Sequence, residues 1–304
     1  YGIGTFGREA YKFVDFLQSS GQTRWQVLPL GPTSYGDSPY QSFSSFALNP
    51  YFVDLLELVE DGWLTREELE DFDFGEDPES VDYEKIFQAR FQVLELAYQR
   101  SVQSKNEQEQ LEWFQLEQHA WLQDYALYMT LKSRHDLQDW GKWEEKYRLR
   151  DPDALEAVLQ EDHQLIQFWS WIQWKAFDQW LRLKEYANRR NIQIIGDIPI
   201  YAAYDSADAW ANADSGIFKL DAHGLPAAVA GCPPDYFAVD GQYWGNPVYD
   251  WNRCKETGYV WWIDRLKSAF SLFDIVRIDH FRGIESYWEI PFGSPTAAYG
   301  KWVP

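Results

Sequence analysis

The sequence has few of the residues that build metal centres, disulfide frameworks and membrane spans. Its 304 residues include two cysteines, Cys232 and Cys254, and five scattered histidines. Two cysteines exclude a disulfide scaffold and a thiolate metal site, and no histidine pair has the spacing of a zinc site. No segment approaches the roughly 18 to 20 apolar residues that a membrane-spanning helix needs. We therefore expect no metal, no cofactor and no membrane insertion.

Basic residues are also scarce. Lys and Arg number 27 against 48 Asp and Glu, which gives a formal net charge of −21. Such a surface repels phosphate, so we expect neither nucleic acid nor an anionic membrane as a partner. Residues 57–84 hold thirteen acidic side chains against one basic residue, Arg66, and we interpret them as a solvated surface. Within that stretch Thr65 and Glu68 have the spacing of a capping box.

Aromatic residues, in contrast, are abundant. The chain contains 17 Trp, 19 Tyr and 19 Phe. Sugar rings stack on aromatic faces through their C–H bonds, so this composition is compatible with a carbohydrate ligand. A tryptophan-rich core explains the same composition. We assign the aromatic stripe of the predicted helix over 165–183 to that core.

Helical patterns alternate with buried strands along the chain, whose length fits one large domain or two ordinary ones. The predicted elements are helices over 8–20, about 84–136, 165–183 and 259–272, strands over 25–30, 192–199 and 274–279, and an irregular aromatic region over 204–251. The order of helix followed by buried strand predicts an α/β fold with parallel strands, either doubly wound or closed into a barrel.

Carboxylates stand at the ends of two predicted strands. Asp197 lies near the end of one, and Arg277 and Asp279 end another. In parallel α/β folds the reactive groups lie at the carboxyl ends of the strands. Strand alternation places Arg277 and Asp279 on one face, where the guanidinium favours the charged carboxylate that a nucleophile requires. A buried structural ion pair that caps the strand explains the same residues equally well.

Residues 276–283, VRIDHFRG, resemble the nucleophile strand of the 4-α-glucanotransferases (amylomaltases) of glycoside hydrolase family 77. Four other segments resemble the same family in the same order. They are residues 35–44 (YGDSPYQSFS), 196–201 (GDIPIY), 233–237 (PPDYF) and 241–247 (GQYWGNP). Five collinear motifs across nearly the whole chain make this resemblance far more specific than an isolated Arg-x-Asp.

The resemblance implies a (β/α)₈ barrel with large helical insertions, of which this chain holds a part. On that basis we expect a first barrel segment at 1–56, a mainly helical insertion at 57–190, and a second barrel segment at 191–304. The last would contain the aromatic loop 204–251 and the nucleophile strand 274–279. The implied activity transfers a segment of a 1,4-α-glucan to a new 4-hydroxyl by a retaining double displacement. The expected partners are α-1,4-glucans, with glucose as an acceptor, and the expected location is the cytoplasm.

The resemblance also assigns residues to this reaction. Asp279 is the implied nucleophile, which attacks the anomeric carbon and forms a β-glycosyl intermediate, and Tyr40 is expected to stack on the glucose at the cleaved bond. The implied substrate-binding residues are Tyr40, Ser38, Asp197, Arg277, His280, Tyr236, Phe237, Gln242, Tyr243, Trp244 and Asn246. The four rings of Tyr236, Phe237, Tyr243 and Trp244 are expected to form an apolar wall that receives the acceptor sugar. Alternatively, they only hold a long loop against the barrel.

The sequence differs from the family pattern at both ends, and at the N-terminal end the first barrel strand of the family is expected before Tyr1. The family's general acid/base Glu lies in a Glu-Asp-Leu-Gly motif and a further Asp in a His-Asp-Asn motif, and residues 1–304 contain neither. Three candidate barrel strands are present where a closed barrel needs eight. We therefore expect the N-terminal three-fifths of an amylomaltase, inactive by itself. An α-glucan hydrolase of the same clan and a non-catalytic glucan-binding fragment are the two alternatives.

Overall fold

A computed structural model describes residues 1–34, 36–77 and 79–304. The helices of these residues are α1 (Arg8–Ser19), α2 (Leu55–Glu60), α3 (Arg66–Glu70), α4 (Tyr83–Ser101), α5 (Lys105–Glu117), α6 (Leu122–Arg134), α7 (Glu145–Arg148), α8 (Pro152–Glu161), α9 (His163–Arg189), α10 (Ala207–Ala211), α11 (Trp251–Glu256) and α12 (Val260–Leu272). The strands are β1 (Arg24–Gln26), β2 (Gln193–Ile198), β3 (Ala228–Cys232), β4 (Gln242–Pro247), β5 (Ile275–Ile278), β6 (Tyr287–Pro291) and β7 (Lys301–Val303). Short 3₁₀ turns are Pro50–Phe52, Trp140–Lys142, Phe281–Ile284 and Ala297–Tyr299.

Three strands form a parallel sheet in the order β1-β2-β5. Trp25 pairs with Ile194, and Ile195 pairs with Ile275, so β2 is the central strand. The long helix α9 leads into β2 and α12 leads into β5, which is the helix-then-strand order in the sequence. The predicted parallel α/β arrangement is therefore confirmed for these three strands.

The first strand is shorter and more exposed than predicted. The apolar run over 25–30 predicts a buried strand, but β1 ends at Gln26 and Leu28 is 58 % exposed. The physical reason is its position in the sheet. Within the described residues β1 pairs only with β2, so none of these residues forms a strand on its other side.

The long helix α9 organises the helical part of the chain, which consists of the helices α2 to α9 between β1 and β2. Two buried glutamines on it each hold one residue of the segment after β1 by a pair of hydrogen bonds. The side-chain amide of Gln173 donates to the Leu48 carbonyl and accepts from its N–H, both at 2.8 Å. Gln179 bonds the backbone of Asp54 in the same way, at 2.6 and 3.2 Å. The predicted apolar stripe is buried or half-buried core, and its members are Leu165, Trp169, Ile172, Ala176, Trp180 and Leu183.

The helical stretch predicted over 84–136 consists of three helices, α4, α5 and α6. The capping box predicted before them is present at the start of α3. The Thr65 hydroxyl accepts from the Glu68 N–H at 3.2 Å, and the Glu68 carboxylate accepts from the Thr65 N–H at 2.9 Å. None of the described helices has the length and apolar character needed to cross a membrane.

The region 204–251, predicted to be irregular, contains α10, β3 and β4. Strands β4, β3, β6 and β7 form an antiparallel sheet in that order. The prediction of an irregular region is wrong because β3 and β4 contain glycine, which disfavours strands and hides them in the sequence pattern. Gly231 lies inside β3, where an added Cβ would be 2.1 Å from the Gln242 carbonyl oxygen. Such a close approach of two backbones requires glycine within the strand.

Gly196 in β2 provides a test of this packing. An added Cβ would lie 2.1 Å from Cδ2 of the buried Phe273 ring. We predict that Gly196→Ala destabilises the complete protein by about 1–3 kcal/mol, because overpacking forces the ring and the strand apart. Thermal unfolding followed by circular dichroism would show a lower midpoint. Gly4→Ala is the matched control, since its Cβ would meet no heavy atom within 4 Å. Equal midpoints for the two variants would contradict the prediction.

Candidate active site

The carboxyl ends of β2 and β5 bring three charged residues together. We call this side of the parallel sheet, where its strands end, the edge of the sheet. In the register of these strands Asp197 is paired with Arg277, and Ile198 with Ile278. Asp279 follows β5 directly, and its backbone N–H donates to the Ile198 carbonyl at 2.9 Å. This convergence is the one that strand-end placement predicts.

The guanidinium of Arg277 bridges the two carboxylates. Its Nη1 donates to both oxygens of Asp197, at 2.6 and 2.7 Å, and its Nη2 donates to Oδ1 of Asp279 at 2.6 Å. The hydrogen bonds to Asp197 and then Asp279 raise the pKa of Arg277. Asp197 is only 2 % exposed, whereas the Asp279 side chain is 38 % exposed. The ion pair is therefore structural on the Asp197 side, while Asp279 is open to solvent.

Tyr40 completes the hydrogen bonding of Asp197. Its hydroxyl donates to Oδ2 of Asp197 at 2.9 Å. Partial burial raises the pKa of Tyr40, and the hydrogen bond to Asp197 raises it further, so the hydroxyl stays a donor at neutral pH. The Ser38 hydroxyl oxygen accepts from the Tyr40 N–H at 3.4 Å. Tyr35, from the same sequence motif, lies outside the described residues.

His280 connects Asp279 to an aromatic side chain of β4. Its backbone is in the left-handed region, with φ of 51°. The imidazole meets the Trp244 ring edge to face, with 4.9 Å between ring centroids. Burial lowers the pKa of His280, which favours the neutral imidazole. The Trp244 indole N–H donates to the side-chain oxygen of Gln242 at 3.0 Å, and the two residues are thereby fixed to each other.

Asn246, two residues after Trp244, is buried. Its amide donates to the Ala202 carbonyl at 3.0 Å and accepts from the Gln41 amide, also at 3.0 Å. Sequence reasoning did not single out Gln41, although it lies in the motif that contains Tyr40. It also did not single out the buried Arg265, which donates to the Ile200 carbonyl just after β2. No periodicity or motif distinguishes either residue from its neighbours.

The structure does not bring the four expected wall residues together. Tyr236 and Phe237 are 93 % and 92 % exposed and contact each other, with ring centroids 5.6 Å apart. Their turn is built on the Asp235 carboxylate, which accepts from the N–H groups of Phe237 and Ala238. Their rings therefore project into solvent and do not pack with Tyr243 and Trp244, so the expected continuous wall is absent from the described structure.

The arrangement suits a polyhydroxylated ligand better than a metal. Within residues 1–34, 36–77 and 79–304, no group of three or more His, Cys, Asp or Glu side chains could hold a metal ion. The edge of the sheet instead offers an accessible carboxylate, hydrogen-bonding groups with fixed orientations, and the exposed faces of aromatic rings. These are the groups that orient sugar rings and form covalent glycosyl intermediates.

Comparisons with known proteins agree with this chemistry. The family model described as 4-alpha-glucanotransferase matches residues 1–304. The 4-alpha-glucanotransferase of Clostridium butyricum is 48 % identical over the whole chain, which covers 62 % of that protein. The Streptococcus pneumoniae 4-alpha-glucanotransferase is 51 % identical over the whole chain, which covers 60 % of that protein. The chain thus spans about three-fifths of the length of these relatives.

Solved structures give the same result. The amylomaltase of Streptococcus agalactiae, solved in complex with acarbose, superposes with a TM-score of 0.97 at 42 % identity. That superposition covers all of this chain and 61 % of the amylomaltase chain. With a family model that matches its whole length, the chain belongs to the 4-alpha-glucanotransferases of glycoside hydrolase family 77.

Proposed function

We propose that the protein carrying these residues is an active 4-α-glucanotransferase, which moves a segment of a 1,4-α-glucan to the 4-hydroxyl of glucose or of another glucan. The observation that carries the proposal is the Arg277 bridge, which holds the accessible Asp279 carboxylate beside the buried, hydrogen-bonded Asp197. We further propose that β1, β2 and β5 belong to a (β/α)₈ barrel. Their parallel order and the reactive groups at their carboxyl ends support this fold.

Asp279 is the proposed nucleophile. Its Oδ1 is held by Arg277, and within the described residues its Oδ2 accepts no hydrogen bond. In the first step a carboxylate oxygen forms a bond to the anomeric carbon, the glycosidic C–O bond breaks, and the leaving oxygen takes a proton from a carboxylic acid. In the second step the 4-hydroxyl of an acceptor attacks the same carbon, loses its proton to that carboxyl group, and releases Asp279.

Asp197 is not suited to the role of proton donor. Both of its oxygens accept hydrogen bonds from Arg277, and one also accepts from Tyr40. A carboxylate in that environment orients its neighbours and binds hydroxyl groups. The acid of the first step is therefore proposed to come from residues other than Asp197, in agreement with the family pattern described above.

The other residues at this edge are proposed to bind the glucan. The Tyr40 ring has a fixed orientation because its hydroxyl is bonded to Asp197, and Trp244 covers His280 next to the nucleophile. The proposed substrate-binding residues are Ser38, Tyr40, Asp197, Arg277, His280, Gln242, Tyr243, Trp244 and Asn246. Tyr236 and Phe237 are retained as proposed glucan contacts, because their exposed rings offer stacking faces. The acarbose complex of the S. agalactiae amylomaltase supports an oligosaccharide ligand here.

The first prediction concerns the nucleophile. In the complete protein, Asp279→Asn should abolish nearly all transfer from maltotriose while affinity for maltodextrin stays close to that of the wild type. The amide keeps the shape and can still accept from Arg277, but it is not an anionic nucleophile. Asp240→Asn, on an exposed turn, serves as the control. A loss of activity of tenfold or less would refute the assignment of Asp279.

The second prediction concerns Trp244. A transferase must favour a sugar hydroxyl over water at the glycosyl intermediate, and the half-buried indole beside His280 is placed to exclude water. Trp244→Ala should therefore raise the ratio of hydrolysis to transfer, measured as reducing ends formed per longer maltodextrin produced. Trp113→Ala, which removes a 63 % exposed indole on α5, is the matched control. An unchanged ratio would favour a purely structural role, and a wild type that only shortens maltotriose would favour a hydrolase.

The third prediction concerns a polypeptide of residues 1–304 alone. Within the described residues the carboxylate linked to Asp279 through Arg277 is Asp197, which is committed to other partners. Without general acid help, which is typically worth about 10²- to 10⁴-fold, the leaving oxygen departs unprotonated. We expect this polypeptide to produce no measurable glucose or longer maltodextrins from maltotriose. Appearance of glucose together with longer maltodextrins would contradict this prediction.

A further inference from the structure

Two aromatic side chains near Asp279 belong to segments that are far apart in the sequence. Tyr40 lies in the segment after β1, and Trp244 lies on β4. One side chain joins these segments directly. The amide nitrogen of Gln41, the residue after Tyr40, donates to the backbone carbonyl of Trp244 at 3.2 Å and to the Asn246 side-chain oxygen at 3.0 Å.

Both ends of this connection are fixed. The Gln41 backbone N–H donates to the Ser38 carbonyl, and its carbonyl accepts from the Ser34 N–H, each at 3.1 Å. On the other side, Asn246 is only 4 % exposed and donates to the Ala202 carbonyl at 3.0 Å. The series of hydrogen bonds therefore links three segments, namely the one after β1, the one after β2, and β4.

We propose that Gln41 is a positioning residue that sets the separation of the Tyr40 and Trp244 rings and thereby favours a sugar acceptor over water. This inference depends on the proposed transferase function. Gln41 acts through Trp244, whose ring lies against His280, the residue after Asp279. If the two hydrogen bonds are lost, Trp244 can move away from the site, and water reaches the glycosyl intermediate more easily. Displacements of about 1 Å are enough to change reactivity strongly.

The chemistry of the contact makes the proposal specific to an amide. Both groups that face the Gln41 nitrogen are acceptors, so the side chain must supply two N–H donors. A carboxylate at this position, as in Gln41→Glu, would place an oxygen opposite two oxygens. Asn246 could relieve that repulsion only by turning its amide, and it would then lose its bond to Ala202. Glu should therefore disturb Trp244 more than Ala does, although Glu preserves the size of the side chain.

The experiment uses the complete protein with maltotriose as donor and glucose as acceptor. In Gln41→Ala we expect the hydrolysis-to-transfer ratio to rise by about three- to tenfold, the range expected when one or two hydrogen bonds are lost. The KM for acceptor glucose should rise, the rate of donor cleavage should change less than the ratio, and Gln41→Glu should give the larger effect. Gln108→Ala is the control, because its amide also donates to a backbone carbonyl, that of Val102, on the exposed surface of the helical part.

Combination with Trp244→Ala tests the route of the effect. If Gln41 acts through Trp244, adding Gln41→Ala to Trp244→Ala should leave the ratio unchanged. Partial unfolding cannot mimic the result, because loss of folded protein lowers both products in the same proportion. A wild type that performs no transfer would refute the proposed function. If the wild type does transfer, two results would overturn the role of Gln41 alone. In the first, the hydrolysis-to-transfer ratio of the Gln41 variants equals that of the wild type within experimental error. In the second, the effect of Gln41→Ala adds to that of Trp244→Ala.

Discussion

Arg277 neutralises a carboxylate that the fold has buried. Asp197 is 2 % exposed at the end of the central strand of the parallel sheet, and an unpaired charge there would be strongly destabilising. The guanidinium comes from the paired position on β5 and has a further N–H donor available for Asp279. One cation thus joins two strands, fixes the carboxylate that orients Tyr40, and holds one oxygen of the accessible carboxylate. Charge-assisted hydrogen bonds give this unit its rigid geometry.

The segment that carries Tyr40 also contacts helices outside the parallel sheet. Lys132 on α6 is buried, donates to the Asp205 carboxylate at 2.6 Å, and has its ammonium group 4.7 Å from the centre of the Phe43 ring. Burial lowers the pKa of Lys132, although the ion pair with Asp205 opposes that effect. Two residues beyond Phe43, the Ser45 N–H donates to buried Asp208 at 2.6 Å. The segment that carries Tyr40 is therefore held against α6 at Phe43 and against α10 at Ser45.

The sequence was most informative where one physical pattern dominated. The stripe of α9, the strands β2 and β5, and the carboxylates at their ends all follow from periodicity and from the location of reactive groups in parallel sheets. The antiparallel sheet could not be predicted in this way, because the close backbone approach at Gly231 places a strand-disfavouring residue inside β3. Leu28 shows another limit, since apolarity alone predicts that the strand continues past Gln26, whereas Leu28 lies beyond its end and is exposed. The contacts of Gln41 depend on two distant segments, and no local pattern reports them.

The order of segments along the chain has a consequence for folding during synthesis. Strand β1 pairs with β2 across residues 27–192, so nearly all of the helical part must be synthesised before β1 has its neighbour. Closing so long a loop between flexible ends is entropically costly and slow. The glutamine pairs on α9 shorten it, because they hold residues 48 and 54 against a helix that leads directly into β2. The helices therefore act as an internal template for the sheet, because β1 can pair with β2 only after they have been synthesised.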